Sequence, residues 1–211
     1  MFEAALEPSA RGKLIALLSG LPQHEAGIRI AGLKGLSAYV ERDGPIGSIA
    51  SQMLGSDCRP VRAILFDKSE QANWALGWHQ DRTICVRERR GVPGFGPWTI
   101  KSGLLHVAPP FDLLAGMLTL RVHLDDVPAD NAPLLIAPGS HRFGRVSVED
   151  IESVVQACGI QTCAAKAGDI WLYSTPILHA SEASARPRRR RVLQLDYAAG
   201  SLPNGLEWAG I

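Results

Sequence analysis

From Val61 onward the chain is a succession of short apolar or alternating runs: "VRAILF", "NWALGWHQD", "TICVRE", "GMLTLRVHL", "PLLIA", "IQTCAA", "DIWLYS" and "RRVLQLDYA". Gly, Pro and Asp separate them. Runs of this length and spacing read as strands, because β-branched and aromatic residues fit a pleated surface and the separators supply turns. Helices do not alternate regularly with the strands, which argues against a parallel sheet. The pattern predicts a mainly β fold with flanking helices, either a sandwich or a jelly roll.

The first sixty residues read differently. Ser9 is placed to cap a helix over "ARGKLIALLS", stopped by Gly20 and Pro22. "PIGSIASQML" puts Ile46, Ile49, Met53 and Leu54 on one face after a proline at the first turn. A mostly helical part over residues 1–60 is therefore expected to pack on a strand-rich core at about 61–200, within one domain spanning 1–211. One helix interrupts the strands, where Ser147 and Asp150 form a capping-box-like start to "VEDIESVVQAC" and Gly159 stops it.

Bulk composition excludes several classes of partner. Lys plus Arg total 22 against 21 for Asp plus Glu, so no overall charge draws the chain to nucleic acid or an anionic membrane. No apolar run approaches the length of a membrane span, and "MFEAALEPSARGK" lacks the basic start and apolar stretch of a signal peptide. A cytoplasmic location is expected. Cys58, Cys85, Cys158 and Cys163 show no C-x-x-C pairing, which predicts free, mostly buried thiols.

In a strand, side chains alternate, so His79 and Asp81 of "NWALGWHQD" point to one face with Asn73, Ala75 and Gly77, while Trp74 and Trp78 bury on the other. One His-x-Asp pair is weak evidence for a metal. It gains weight from His179, far along the chain. Two histidines and one carboxylate on a rigid sheet can make a facial triad for non-haem iron(II), with coordination positions left open. Arg190, at the start of the strand after His179, can hold a carboxylate through two guanidinium contacts.

At these residues the sequence resembles the phytanoyl-CoA dioxygenase family of iron(II)- and 2-oxoglutarate-dependent oxygenases. The resemblance covers roughly 61–200 and rests on "NWALGWHQD", "RVHLDDVPADNAPLLIAPGSHRFG" and "HASEASARPRRRRVLQLDY". It implies a double-stranded β-helix (jelly roll, cupin-like), iron bound by His79, Asp81 and His179, and 2-oxoglutarate bound by Arg190 and Ser181. It also implies dioxygen as co-substrate and hydroxylation of a small organic substrate. Two features depart from the family: Ala132 stands where a glycine is usual, and the loop after His179 lacks the common "HGSxxN" wording.

Other readings compete for the same residues. His123 and Asp125 form a second His-x-Asp, but about three strand-like runs separate them from His179, against about six for Asp81, so they read as a sheet-edge feature. His141 reads as a turn residue. The run "RPRRRR", Arg186 to Arg191, alternates between faces and so is not a flat nucleic-acid patch. Nucleic-acid demethylases of the superfamily carry an arginine where this chain has Asp196. Asn73, Trp98 and His106 are candidate pocket residues, with walls from the loop at 87–103 and the C-terminal tail. Arg87, Arg89 and Arg90 in that loop can favour an anionic substrate. The rival function is a catalytically inactive jelly-roll ligand-binding protein. Substrate identity and oligomeric state are left open.

Overall fold

The computed structural model describes residues 1–22 and 25–211. Two antiparallel sheets face each other. The larger has the order β1-β2-β12-β7-β10 and the smaller β3-β11-β8-β9. These strands are β1 (Ile28–Ile30), β2 (Cys58–Lys68), β3 (Leu76–His79), β7 (Leu118–His123), β8 (Leu134–Ile136), β9 (Gln161–Cys163), β10 (Ile170–Ser174), β11 (His179–Ser181) and β12 (Arg190–Ala199). A third sheet, β4-β6-β5, is formed by Ile84–Cys85, Leu104–Val107 and Trp98–Lys101. This is a jelly roll, one of the two architectures that the strand pattern allows and the one that the family resemblance implies.

The larger sheet has one apolar and one charged face. Ala63 and Leu65 of β2, Leu120 and Val122 of β7, and Leu193, Leu195 and Tyr197 of β12 share a core with Leu14, Leu18, Val40, Ile46 and Ile49 of the N-terminal segment. Alternation turns Arg62, Ile64, Phe66 and Lys68 the other way, toward the space between the sheets. The helices α1 (Pro8–Leu18), α2 (Ser37–Val40) and α3 (Gly47–Leu54) thus satisfy the outer face and leave the inner face free for polar groups. The Tyr197 hydroxyl ties the layers by donating to the Val40 carbonyl at 2.9 Å.

Several local expectations change. Residues 1–60 also supply β1, an edge strand paired with β2. Helix α1 begins at Pro8, with Glu7 at its N-cap and no side-chain cap. Ser9 lies inside the first turn, because proline is well placed there. Met53 is 65% exposed, so α3 buries Ile49 and Ala50 rather than the full expected stripe. The Ser147–Asp150 pairing does precede α5 (Ile151–Cys158), with Ser147 Oγ donating to the Asp150 carboxylate at 2.8 Å. The span at 87–103, read as a loop, contains β5. A two-residue turn at Ser102 (φ 49°) and Gly103 (φ 76°) joins it to β6, as the tight turns of twisted hairpins require. A fourth short helix, α4 (Phe111–Ala115), follows. The four cysteines are unpaired.

Candidate active site

The smaller sheet brings the two histidines together. β3 and β11 run antiparallel with His79 opposite His179, and their ring centroids lie 4.2 Å apart. Asp81 sits just past the end of β3. One ligand atom from each of His79, Asp81 and His179 lies within 4.8 Å of the others. Hydrogen bonding also fixes the tautomers. His79 Nδ1 lies 2.8 Å from the Gly77 carbonyl, and His179 Nδ1 lies 2.9 Å from the Ile177 carbonyl. A carbonyl only accepts, so each Nδ1 carries the hydrogen and each Nε2 keeps its lone pair. Burial pushes the His179 imidazole down to about 4 despite the nearby Asp81, so it is neutral at pH 7. Two Nε2 atoms and a carboxylate oxygen fit a divalent, non-thiophilic metal such as iron(II).

Asp81 is held from behind. Arg62 Nη2 donates to Asp81 Oδ2 at 2.8 Å, and Arg62 Nε donates to Asp196. The other oxygen of Asp196 accepts from the Thr119 hydroxyl at 2.9 Å. Burial works against ionisation of Asp81, but the Arg62 guanidinium outweighs it and holds the carboxyl below its ordinary range. Asp196, where the superfamily's demethylases have an arginine, is thus the buried partner of an arginine on the neighbouring strand.

A cationic cradle lies along the cavity from this group. Lys68, Arg121 and Arg190 are all buried. None of them belongs to an ion pair among the described residues. Arg190 Nη1 donates to the Ala132 carbonyl. Lys68 Nζ donates to Ser181 Oγ at 2.9 Å and to the Glu182 carbonyl. The Nε atoms of Arg121 and Arg190 and the Tyr173 hydroxyl are buried without a partner. Unpaired buried guanidinium is costly, and burial together with Arg121 lowers Arg190 to about 9. A carboxylate entering here would satisfy those donors, so the residues fit the far end of 2-oxoglutarate.

The surrounding cavity, about 660 Å³, lies between the two sheets. Its walls differ from the expected ones. Trp74 and Leu76 line it beside His79, because the pairing of β3 with β11 shifts by one residue between Leu76 and His79. That bulge breaks simple alternation. Trp78 alone goes the other way, packing against the cluster of Val154, Val155 and Leu178.

Asn73, Trp98 and His106 do not line the cavity. Asn73 exchanges two hydrogen bonds with the Ser184 backbone. Trp98 packs in a separate apolar cluster, under the Arg89 guanidinium. His106 is fully buried, its Nε2 3.0 Å from Cys85 Sγ. Of the span at 87–103, Lys101 alone reaches the cavity. Arg87 pairs with Glu207 and Arg90 with Glu88. His123 lies on β7, an interior strand rather than a sheet edge, and Asp125 pairs with Arg191. Arg188 and Arg189 pair with Asp130 and Asp67, so Arg190 is the inward member of its run. Sequence reasoning missed Arg62, Lys68 and Arg121. The signal for Arg62 and Arg121 was a cation at an alternate position of an otherwise apolar strand, which a half-buried strand rarely tolerates without a partner.

Comparisons with known proteins bear on the family and the fold. The sequence profile of phytanoyl-CoA dioxygenase matches residues 43–192. No curated protein matches the chain by sequence. Among solved structures, the epimerase SnoN in complex with Fe3+, alpha ketoglutarate and nogalamycin RO is similar at TM-score 0.67 and 16% identity, over 97% of this chain and 85% of that one. Apo EctD from S. alaskensis gives 0.63 and 20%, over 99% and 72%. HygX from Streptomyces hygroscopicus with nickel and 2-oxoglutarate bound gives 0.61 and 13%, over 93% and 81%.

Proposed function

The chain belongs to the phytanoyl-CoA dioxygenase family, whose members use iron(II), 2-oxoglutarate and dioxygen, and from that premise we propose that it hydroxylates a small organic substrate. The observation that carries the reading is one cavity holding both the His79, Asp81, His179 cluster and the buried, carboxylate-free Arg190. An inactive binding protein has no need of both.

Nε2 of His79, Nε2 of His179 and one oxygen of Asp81 would hold the iron. When bound, iron(II) with 2-oxoglutarate and dioxygen supplies the oxidative decarboxylation that releases succinate and carbon dioxide and puts oxygen on the substrate. The protein's own part is positional. Arg190 and Lys68, with Ser181, would grip the far carboxylate of 2-oxoglutarate and so set the direction in which its other end points. Arg62 fixes the orientation of Asp81 by holding Oδ2, and Asp196 keeps Arg62 in place. The Gly77 and Ile177 carbonyls do the same for the imidazoles. Phe66 and Trp74, whose rings lie 6.5 Å apart, make an apolar wall that displaces water from the cradle.

The test is turnover under labelled dioxygen with 2-oxoglutarate, iron(II) and a substrate panel. Hydroxylation predicts one labelled oxygen in succinate and one in product. Labelled succinate with unlabelled product would replace hydroxylation by another oxidation, as in an epimerase. No succinate from any substrate would favour the inactive binding protein.

A further inference from the structure

We propose that the substrate is a small organic anion with an apolar body, its charged group held by Arg29 and Lys101 at the mouth of the cavity. This rests on the dioxygenase reading and names the substrate class for that site.

The argument starts from charge. The cavity is lined by Arg29, Arg62, Lys68, Arg82, Lys101, Arg121 and Arg190, and Asp81 is its one carboxylate among the described residues. Arg62 is neutralised by Asp81 and Asp196. Lys68, which donates to Ser181, has Arg121 and Arg190 as its charged neighbours, and a dicarboxylate co-substrate would take these three up. Arg29, Arg82 and Lys101 remain, and none forms an ion pair with a described carboxylate. Arg82 is committed to the Val146 carbonyl. Lys101 has no hydrogen-bond partner among the described residues, and Arg29 has only the Ser102 hydroxyl.

Both are placed by backbone rather than by chance. Arg29 lies on β1 opposite Ile64 of β2, and its Nη1 reaches Ser102 Oγ at 3.3 Å. Its Nε is buried without a partner. Ser102 is the first residue of the tight β5–β6 turn, so Arg29 reaches the turn that directly follows Lys101, and both side chains line the cavity. A guanidinium with an unused buried donor and an ammonium lining the same cavity are suited to binding an anion. Ile64, Phe66, Trp74 and Leu76 supply the apolar wall. A cationic or neutral substrate would leave these charges unpaired as it displaced their water.

The test uses the full chain with zinc(II) in place of iron(II) and saturating 2-oxoglutarate, so that nothing turns over. Binding of aryl and alkyl carboxylic acids is compared by calorimetry with that of their primary amides. The acids should bind about tenfold or more tightly than the amides. The double variant R29Q/K101Q should erase that preference and leave 2-oxoglutarate affinity unchanged, which also shows that it is folded. Equal binding of acids and amides, binding of neither, or a preference that survives the double variant overturns the proposal. If 2-oxoglutarate fails to bind the unsubstituted protein, the dioxygenase reading falls and this inference falls with it.

Discussion

Lys68 shows how a single residue's surroundings become a measurable property. It is 2% exposed and stacks over the Trp74 ring at 4.9 Å. Burial, then the neighbouring Arg190 and Arg121 charges, lower it to about 7. A bound dicarboxylate adds negative charge beside it and must raise that value. Above about pH 7 the free protein therefore carries a largely neutral Lys68, and binding 2-oxoglutarate must take up a proton. Calorimetry at about pH 8 in buffers of different ionisation enthalpy should show uptake approaching one proton, and affinity should fall as pH rises further. The K68M variant should lose the uptake and bind more weakly at neutral pH. Equal uptake in the variant would place the titrating group elsewhere. Lys68 was not legible as a site residue, because a lysine at a strand end normally reads as solvated.

At the scale of elements, the segment entering β8 carries a cost. Ala132 takes φ 49° and is 6% exposed, and its carbonyl accepts from Arg190. A left-handed alanine costs roughly 1–2 kcal/mol, and the related family has glycine there. Replacing it with glycine removes that strain but adds about 0.4–1 kcal/mol of unfolded-chain entropy. A132G should therefore gain up to about 1 kcal/mol, or about 2–4 °C in melting temperature. A lower melting temperature would mean that the buried methyl contributes more than the turn costs. The strands were legible where one face is apolar, as in β2, β7, β10 and β12, because the helices must bury that face. Two kinds of element were not. The β3 bulge inverts Leu76 and Trp74 relative to His79, which depends on pairing with β11 and has no local sign. The β5–β6 hairpin hid behind "RERRGVPGFG", whose glycines and arginines read as loop although "KSGL" holds the turn.

Across the whole molecule, the jelly roll separates two kinds of burial. Its outer faces bury aliphatic side chains under helices, while the space between the sheets buries Arg62, Arg121, His179, Arg190 and Asp196. Interiors do not hold so many ionisable groups without use, since each costs desolvation energy. No helix among the described residues is long and apolar enough to cross a membrane. The histidines and Arg190 were readable far apart in sequence because their chemistry is distinctive. Arg62, which joins Asp81 to Asp196, became visible only when β2, β3 and β12 were brought together. The central claim is that His79, Asp81 and His179 hold iron(II) while Arg190 anchors 2-oxoglutarate on the same ion. Anaerobic titration with iron(II) and 2-oxoglutarate, followed by visible absorption, tests it most directly. A charge-transfer band should grow only when both are present, vanish in H179A at any 2-oxoglutarate concentration, and in R190Q require about a hundredfold more 2-oxoglutarate. No band in folded protein, or a band unchanged in both variants, would contradict the assignment.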